Sequence, residues 1–293
     1  MDELFLLHTH YIPPGLAGSK TKISAVIIPE FYPDLNLTYI DSMAYFSSVE
    51  EYIFYVEKMN PFKCDVFYSI ENLNVITGID QLALLKGHGL RIIQLFHGKS
   101  NAYFSIKDGL SDSGISLIKE IEKLDMVLDL SHIPETCLDE IVAAFSGRTT
   151  VSHCACSELY AGKAARSNSL SAASIKNLAR LGTVFGVAFV NDIAASNVSV
   201  EISTESLFED IVAQILMFFD LAGPKQVALG PDYFDCDYFS RLYQTRLYFP
   251  ADMCSLSGYA KLYTTLRERG LTLSNVNNIF FSNAKAIVRD GRR

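Results

Sequence analysis

The chain of 293 residues carries 33 Asp and Glu against 25 Lys and Arg, a formal net charge of −8 with the histidines neutral. With no Lys/Arg-rich run, this balance excludes a basic surface for nucleic acid or for an anionic membrane. Hydrophobic residues at 49% and charged residues at 20% fit an enzyme with a large buried core, and no apolar run approaches the ~20 residues that span a bilayer.

Short apolar runs bounded by Gly, Pro, Asp or Ser read as strands, and longer segments with three- and four-residue periodicity read as helices. The first strand, Leu4–His8, leads to Ile23–Ile28 through Tyr11–Lys22, where Pro13-Pro14-Gly15 leaves no helix signal. Ser48–Met59 spaces Val49, Ile53 and Val56 as a helix does, and strands Val66–Ile70 and Arg91–Phe96 follow on either side of the helix-ending Lys86-Gly87-His88-Gly89. Helix Ser111–Lys123, strand Met126–Leu130, helix Pro134–Phe145 and strand Thr149–Ser152 come next, then helix Ser171–Leu181 and strand Val184–Phe189. The longest helix, Glu205–Leu221, stops before Gly223-Pro224 and precedes the last strand, Gln226–Gly230. Asp232–Met253 reads as a polar-aromatic loop, and Ser255–Arg269 and Asn275–Val288 as C-terminal helices. Alternation of strand and helix eight times over predicts an α/β fold, a closed (β/α)8 TIM barrel formed as one domain over residues 1–293.

In such barrels chemistry gathers at the C-terminal ends of the strands. Those ends carry His8 and His10, Glu71, His97, His132, His153, Asn191 and Asp232, which includes five of the six histidines. His8-Thr9-His10 alternates, so both imidazoles project from one face of an extended strand and can grip one metal ion. Glu71 reads either as a surface acid leading into a helix or as a carboxylate bridging two ions, for which it has an oxygen for each. His132 and His153 come from adjacent strands and suit a second ion, against a plain reading as core or capping histidines. Asp232 ends the strand that closes against the first, where it can hold a metal-bound water and accept its proton. Asp235 and Asp237 match no calcium-loop spacing and read as a solvated acidic loop. Cys154 and Cys156 read as packing residues rather than a thiolate pair. The six cysteines have no small-domain disulfide spacing, and the opening Met1-Asp2-Glu3-Leu4 lacks a basic signal segment, so reduced thiols in a cytoplasmic protein are expected. No Walker A, dinucleotide or G-x-S-x-G motif is present.

Ser69-Ile70-Glu71, Asp129-Leu130-Ser131-His132, Val151-Ser152-His153, Arg166-Ser167-Asn168 and Gly230-Pro231-Asp232-Tyr233-Phe234-Asp235 together resemble the ordered motifs of the membrane (renal) dipeptidase family of zinc peptidases, an amidohydrolase-like barrel family. The resemblance implies two zinc ions per chain. His8, the position of His10 and Asp232 would hold the first, His132 and His153 the second, and Glu71 would bridge. It further implies that a metal-bridging hydroxide attacks the amide bond of a dipeptide or small peptide-like substrate. Asp232 would manage the proton, and His97 would steady the tetrahedral intermediate. Arg166 would clamp the substrate carboxylate, and Asn191 would face the substrate where the family often has a tyrosine. A homodimer is allowed by the resemblance, although no residue here argues for one.

The chain departs from that pattern in several places. The family usually has His-x-Asp on the first strand, where this chain has His8-Thr9-His10, leaving the metal cluster one unit more positive. Cys236 replaces the family's Gly after Asp235, and Phe281-Ser282 replaces the glycines before Asn283. On the resemblance these changes fall in substrate-contacting regions. Two alternatives therefore stand beside a dipeptidase. One is a non-peptidase amidohydrolase acting on N-acyl amino acids, lactams or a peptide-like natural product. The other is a binding protein with a vestigial site, against which the intact ligand set argues.

Overall fold

The structure, a computed structural model, describes residues 1–16, 21–28, 38–40, 43–45, 48–58, 65–71, 73–98, 100–160, 168–197 and 203–289. Eight parallel strands close on themselves: β1 (Glu3–Thr9), β2 (Lys22–Ile27), β3 (Asp65–Ile70), β4 (Leu90–Gln94), β5 (Val127–Asp129), β6 (Arg148–Cys156), β7 (Val184–Val187) and β8 (Val227–Leu229). Each pairs with the next, and β8 returns to β1 with Leu229 opposite Leu6. The fold is thus the predicted closed (β/α)8 barrel, each strand lying within a few residues of its expected bounds. The helices Val49–Lys58, Asp112–Lys123, Glu135–Ala144, Ala172–Arg180, Thr204–Ala222 and Leu256–Glu268 fall where periodicity places them. Five of these begin on a serine, Ser48, Ser111, Ser171, Ser203 or Ser255, whose hydroxyl accepts an N–H of the first turn. Among the described residues no helix is long and apolar enough to cross a membrane.

Simple alternation along β1 would put His8 on the face of Leu4 and Leu6, which pack outward with the helices. The pairing of β1 with β2 instead shifts register between Leu6 and Thr9, and that of β6 with β7 shifts between Val151 and Cys154. An extra residue in a strand re-aims the side chains beside it. These two irregularities fall at His8 and at Ser152-His153, and they bring all three side chains together at the barrel mouth.

Inside the barrel, Phe5, Leu7, Val26, Ile92, Val127, Val184 and Ala228 form one apolar cluster with Phe281, Ala284, Ile287 and Val288. The C-terminal segment runs through a π-helical turn, Asn278–Ser282, into the helix Asn283–Val288 and seals the N-terminal end of the strands. Asn283 fixes it there by donating from Nδ2 to the carbonyls of Pro224 (3.0 Å) and Val227 (2.8 Å). Phe281-Ser282-Asn283 therefore stands at the opposite end of the barrel from the histidines. The departure from the family glycines is a matter of packing, not of substrate contact.

Three details differ from expectation. His153 lies inside β6, not past it, because β6 continues to pair with Ser169–Leu170. The segment read as a loop after Asp232 holds a helix, Cys236–Tyr243, capped by Asp235, whose Oδ1 accepts the N–H of Tyr238 at 2.9 Å. Asp235 is thus a helix cap and not part of a solvated loop. Antiparallel ribbons at Thr38–Ile40 with Met43–Tyr45 and at Phe104–Ser105 with Gly109–Leu110 were not legible from periodicity.

Candidate metal centre

His8, His10, Glu71, His97, His132, His153 and Asp232 converge at the C-terminal mouth of the barrel. His8 Nε2 stands 3.4 Å from Glu71 Oε1 and 3.5 Å from Asp232 Oδ1, and His10 Nε2 lies 3.3 Å from the same Asp232 oxygen. The ladder between β8 and β1 runs past the strand ends to hold these groups. Asp232 N–H donates to the His8 carbonyl, and His10 N–H donates to the Tyr233 carbonyl, each at 3.0 Å. Across the mouth, His132 Nε2 is 3.0 Å from His153 Nε2, and the His97 ring centroid lies 4.6 Å from that of His132. His132 and Asp232 take left-handed backbone angles, φ 63° and 61°. Such strain in non-glycine residues is held by surrounding structure and gathers at functional sites. At His132 the Asn168 side chain supplies that support, its Oδ1 accepting the His132 N–H at 2.6 Å.

Burial pushes His8 below its ordinary pKa despite the Asp232 carboxylate beside it. Burial, reinforced by neighbouring rings, pushes His132 and His153 well below, and burial brings His97 down to about 4. Burial opposes ionisation of Asp232, but His153 and the adjacent His10 and His8 rings outweigh it and hold the carboxyl well below the usual range. His8, His97, His132 and His153 are therefore neutral imidazoles beside an ionised carboxylate, the protonation state that binds metal.

Among the described residues three triples each bring one ligand atom per residue within 4.8 Å of one another: His8–His10–Glu71, Glu71–His132–His153 and His8–His153–Asp232. Glu71 is shared by the first two, which otherwise have no residue in common. The donors fit a metal on their own evidence: His8 Nε2 is buried without a hydrogen-bond partner while it points at two carboxylates.

The remaining expected residues stand elsewhere. Asn191 is occupied with the backbone of the Arg246–Tyr248 stretch, donating to the Arg246 carbonyl at 2.9 Å and accepting the Tyr248 N–H at 2.8 Å. Arg166 lies outside the described residues. Cys154 is buried with its thiol against the Gly186 carbonyl, and burial raises its pKa well above the ordinary value, as suits a packing residue. The cleft also has a wall that sequence reasoning missed: Phe234, Phe239 and Tyr243 line it beside the histidines. Phe239 and Tyr243 are stacked with centroids 5.8 Å apart, and Phe234 meets Phe239 edge-on at 5.3 Å. The i, i+4 spacing of Phe239 and Tyr243 behind Asp235 was the available signal.

Comparison with known proteins gives the same direction. The family model described as Membrane dipeptidase (Peptidase family M19) matches residues 35–291. That match begins after β1, so His8 and His10 are supplied from outside it by closure of the barrel. A curated dipeptidase, verJ of Clonostachys rogersoniana, is 30% identical over 111 residues. That match spans 32% of this chain and only 29% of the relative's length. An amidohydrolase structure from Pseudomonas aeruginosa superposes with a TM-score of 0.67 at 19% identity, covering 84% of this chain and 77% of that one. A metallo peptidase from Rhodobacter sphaeroides, liganded with a phosphinate mimic of the dipeptide L-Ala-D-Ala, gives 0.63 at 15% identity over 84% and 68%. At these identities the structural likeness is one of fold.

Proposed function

The chain belongs to the membrane dipeptidase family, and on that premise we propose that it is a binuclear zinc hydrolase cleaving the amide bond of a dipeptide or small peptide-like substrate. The observation that carries the reading is Glu71, whose carboxylate belongs to two otherwise separate ligand triples. His8, His10 and Asp232 would hold one ion, His132 and His153 the other, and Glu71 would bridge. Imidazole and carboxylate donors of this kind suit zinc. The chemistry such a pair supplies is polarisation of the scissile carbonyl and acidification of the attacking water to a pKa of about 7.

The chain's own groups do the rest. Asp232, ionised and seated against His8 and His10, accepts the proton of the attacking water and passes it to the leaving amine. His97, neutral at physiological pH, donates a ring N–H to the developing oxyanion. Arg166 would clamp the substrate carboxylate and so confine the enzyme to short substrates. Asn191 acts at one remove, holding the Arg246–Tyr248 stretch in place.

A second reading keeps the centre and changes the substrate to an N-acyl amino acid, a lactam or a peptide-like natural product. It is favoured by the wall of Phe234, Phe239 and Tyr243 along the cleft, an apolar face that suits an acyl group. Zinc content per chain, followed by assays on L,L-, L,D- and glycyl dipeptides and on N-acyl amino acids with and without chelator, separates the two. Two ions with chelator-sensitive dipeptide cleavage supports the first. Activity confined to acylated amines supports the second, and lack of stoichiometric metal would overturn both.

A further inference from the structure

Asp129 is sealed inside the barrel at 0% exposure and takes no part in the reaction above. Its Oδ1 accepts the N–H of Ser131 (3.0 Å), the hydroxyl of Ser131 (2.8 Å) and the N–H of Ser152 (3.1 Å). Its Oδ2 accepts the hydroxyl of Ser152 in a short hydrogen bond of 2.5 Å. The same Ser152 Oγ lies 2.8 Å from His8 Nδ1 and 3.2 Å from His153 Nδ1, with the Ser131 hydroxyl at 3.3 Å.

Hydrogen counting decides what this cluster does. A hydroxyl has one hydrogen and two lone pairs, and a carboxylate only accepts. Once the Ser152 hydrogen is committed to Asp129, the oxygen offers the two imidazoles nothing but lone pairs. Each ring must then bring its own hydrogen at Nδ1, which leaves both Nε2 atoms bare. On His8 the bare nitrogen faces the oxygens of Glu71 and Asp232 and has no hydrogen-bond partner. On His153 it faces His132 Nε2. Lone pairs converging on carboxylates and on another ring nitrogen repel unless a cation stands between them.

We propose that Ser152 is a positioning residue that sets the Nδ1–H tautomer of His8 and His153 together, one hydroxyl presenting a metal-ready nitrogen to each of the two ion sites, with Asp129 fixing its direction. Metal-bound histidines commonly donate their second ring N–H to an oxygen acceptor. Here a single acceptor serves two rings from different strands, β1 and β6. The backbone holds Ser152 in place for it. The Ser152 carbonyl is wedged against Gly186 and Gly230, where an added Cβ would stand 1.8 and 1.9 Å from the oxygen. The register shift in β6 turns Ser152 and His153 toward the mouth at successive positions.

This inference rests on the metal reading above, and its test keeps the two apart. Long-range proton–nitrogen NMR of the full chain labelled at histidine and stripped of metal reports which ring nitrogen carries hydrogen, independently of any activity. The signals are assigned with His8→Gln and His153→Gln. Nδ1–H on both His8 and His153 in the wild type is expected, and Nε2–H on either overturns the proposal. In Asp129→Asn an amide N–H can point at Ser152 Oγ and release the hydroxyl hydrogen to one ring, so one of the two histidines should change tautomer. Ser152→Ala should lose the shared pattern and bind zinc about 10–100-fold more weakly by chelator competition, with Ser152→Thr restoring both. An unchanged pattern in both Asp129→Asn and Ser152→Ala overturns it, and the wild-type spectrum decides the matter if Ser152→Ala does not fold. If wild-type protein binds no zinc, the metal reading fails while the spectra still judge the tautomers.

Discussion

The imidazoles of His8 and His153 lie face to face across the barrel mouth, centroids 3.8 Å apart and planes tilted by 37°. They come from strands β1 and β6, which are not neighbours in the sheet. Two cationic rings could not rest this close in a buried site, and burial keeps both neutral. On the proposed two-ion reading the contact joins the two halves of the centre, so disturbing either ring is expected to affect both ions.

Glu71 is the joint between those halves. Glu71→Gln retains the volume but replaces one carboxylate oxygen by an amide, which cannot serve a second cation. Metal content measured by emission spectroscopy is expected to fall to one ion or fewer per chain, with turnover reduced by orders of magnitude. Two tightly held ions in this variant would remove the bridging role.

The aromatic wall makes a separate prediction. Tyr243 is 51% exposed although it lines the cleft and stacks on Phe239, which leaves a ring face open to a substrate side chain. Tyr243→Ala is expected to raise KM for substrates with an aromatic side chain by roughly 2–10-fold, the worth of one ring contact. KM for glycyl substrates should change little, and so should kcat. Equal effects on both substrate classes would show that the wall does not contact the side chain.

At the other end of the barrel, Phe281→Ala removes a ring packed 6.3 Å from Phe5. The expected cost is about 3–5 kcal/mol of stability, measured by urea unfolding. Zinc content and KM of the folded fraction should be unchanged. A selective change in KM at preserved stability would return this residue to the substrate site.

Acid should weaken the metal-free protein before it reaches the ordinary carboxylate range. His97 titrates near 4 when folded against 6.5 when unfolded, so the unfolded state takes up protons first as pH falls. The stability present above 6.5 is lost as pH drops toward 4, by about 2 kcal/mol between pH 7 and 5 from His97 alone. His8, His132 and His153 shift in the same direction and add to this loss. Asp232, held low, contributes above its unfolded value of 3.8 and loses that contribution only at still lower pH. An unfolding midpoint that stays level from pH 7 to 5 would contradict the buried neutral state of these histidines.

The sequence determined by itself that strand and helix alternate eight times, and which histidines and acids end the strands. Buried parallel strands need unbroken apolar runs, and polar residues at their ends mark where the runs meet solvent or a site. Much of the candidate site was legible for that reason, including Glu71, His132, His153 and Asp232. The Asp129 cluster left a trace too, since Asp129, Ser131 and Ser152 are polar residues in strand segments that turn out fully buried. Nothing local says which oxygen takes which hydrogen, however, because Asp129 and Ser152 meet only when β5 and β6 pair with Thr150 opposite Asp129.

Tertiary structure alone decided how the side chains face. A period of two puts His8 outward with Leu4 and Leu6, and only the register shift in β1, set by pairing with β2, turns it to the mouth. Closure of β8 on β1 places Asp232 against His10, a separation of more than two hundred residues that no local spacing encodes. The aromatic wall and the C-terminal plug follow the same rule: their residues are amphipathic in the sequence, but which apolar face they cover depends on where the closed barrel leaves its two ends open.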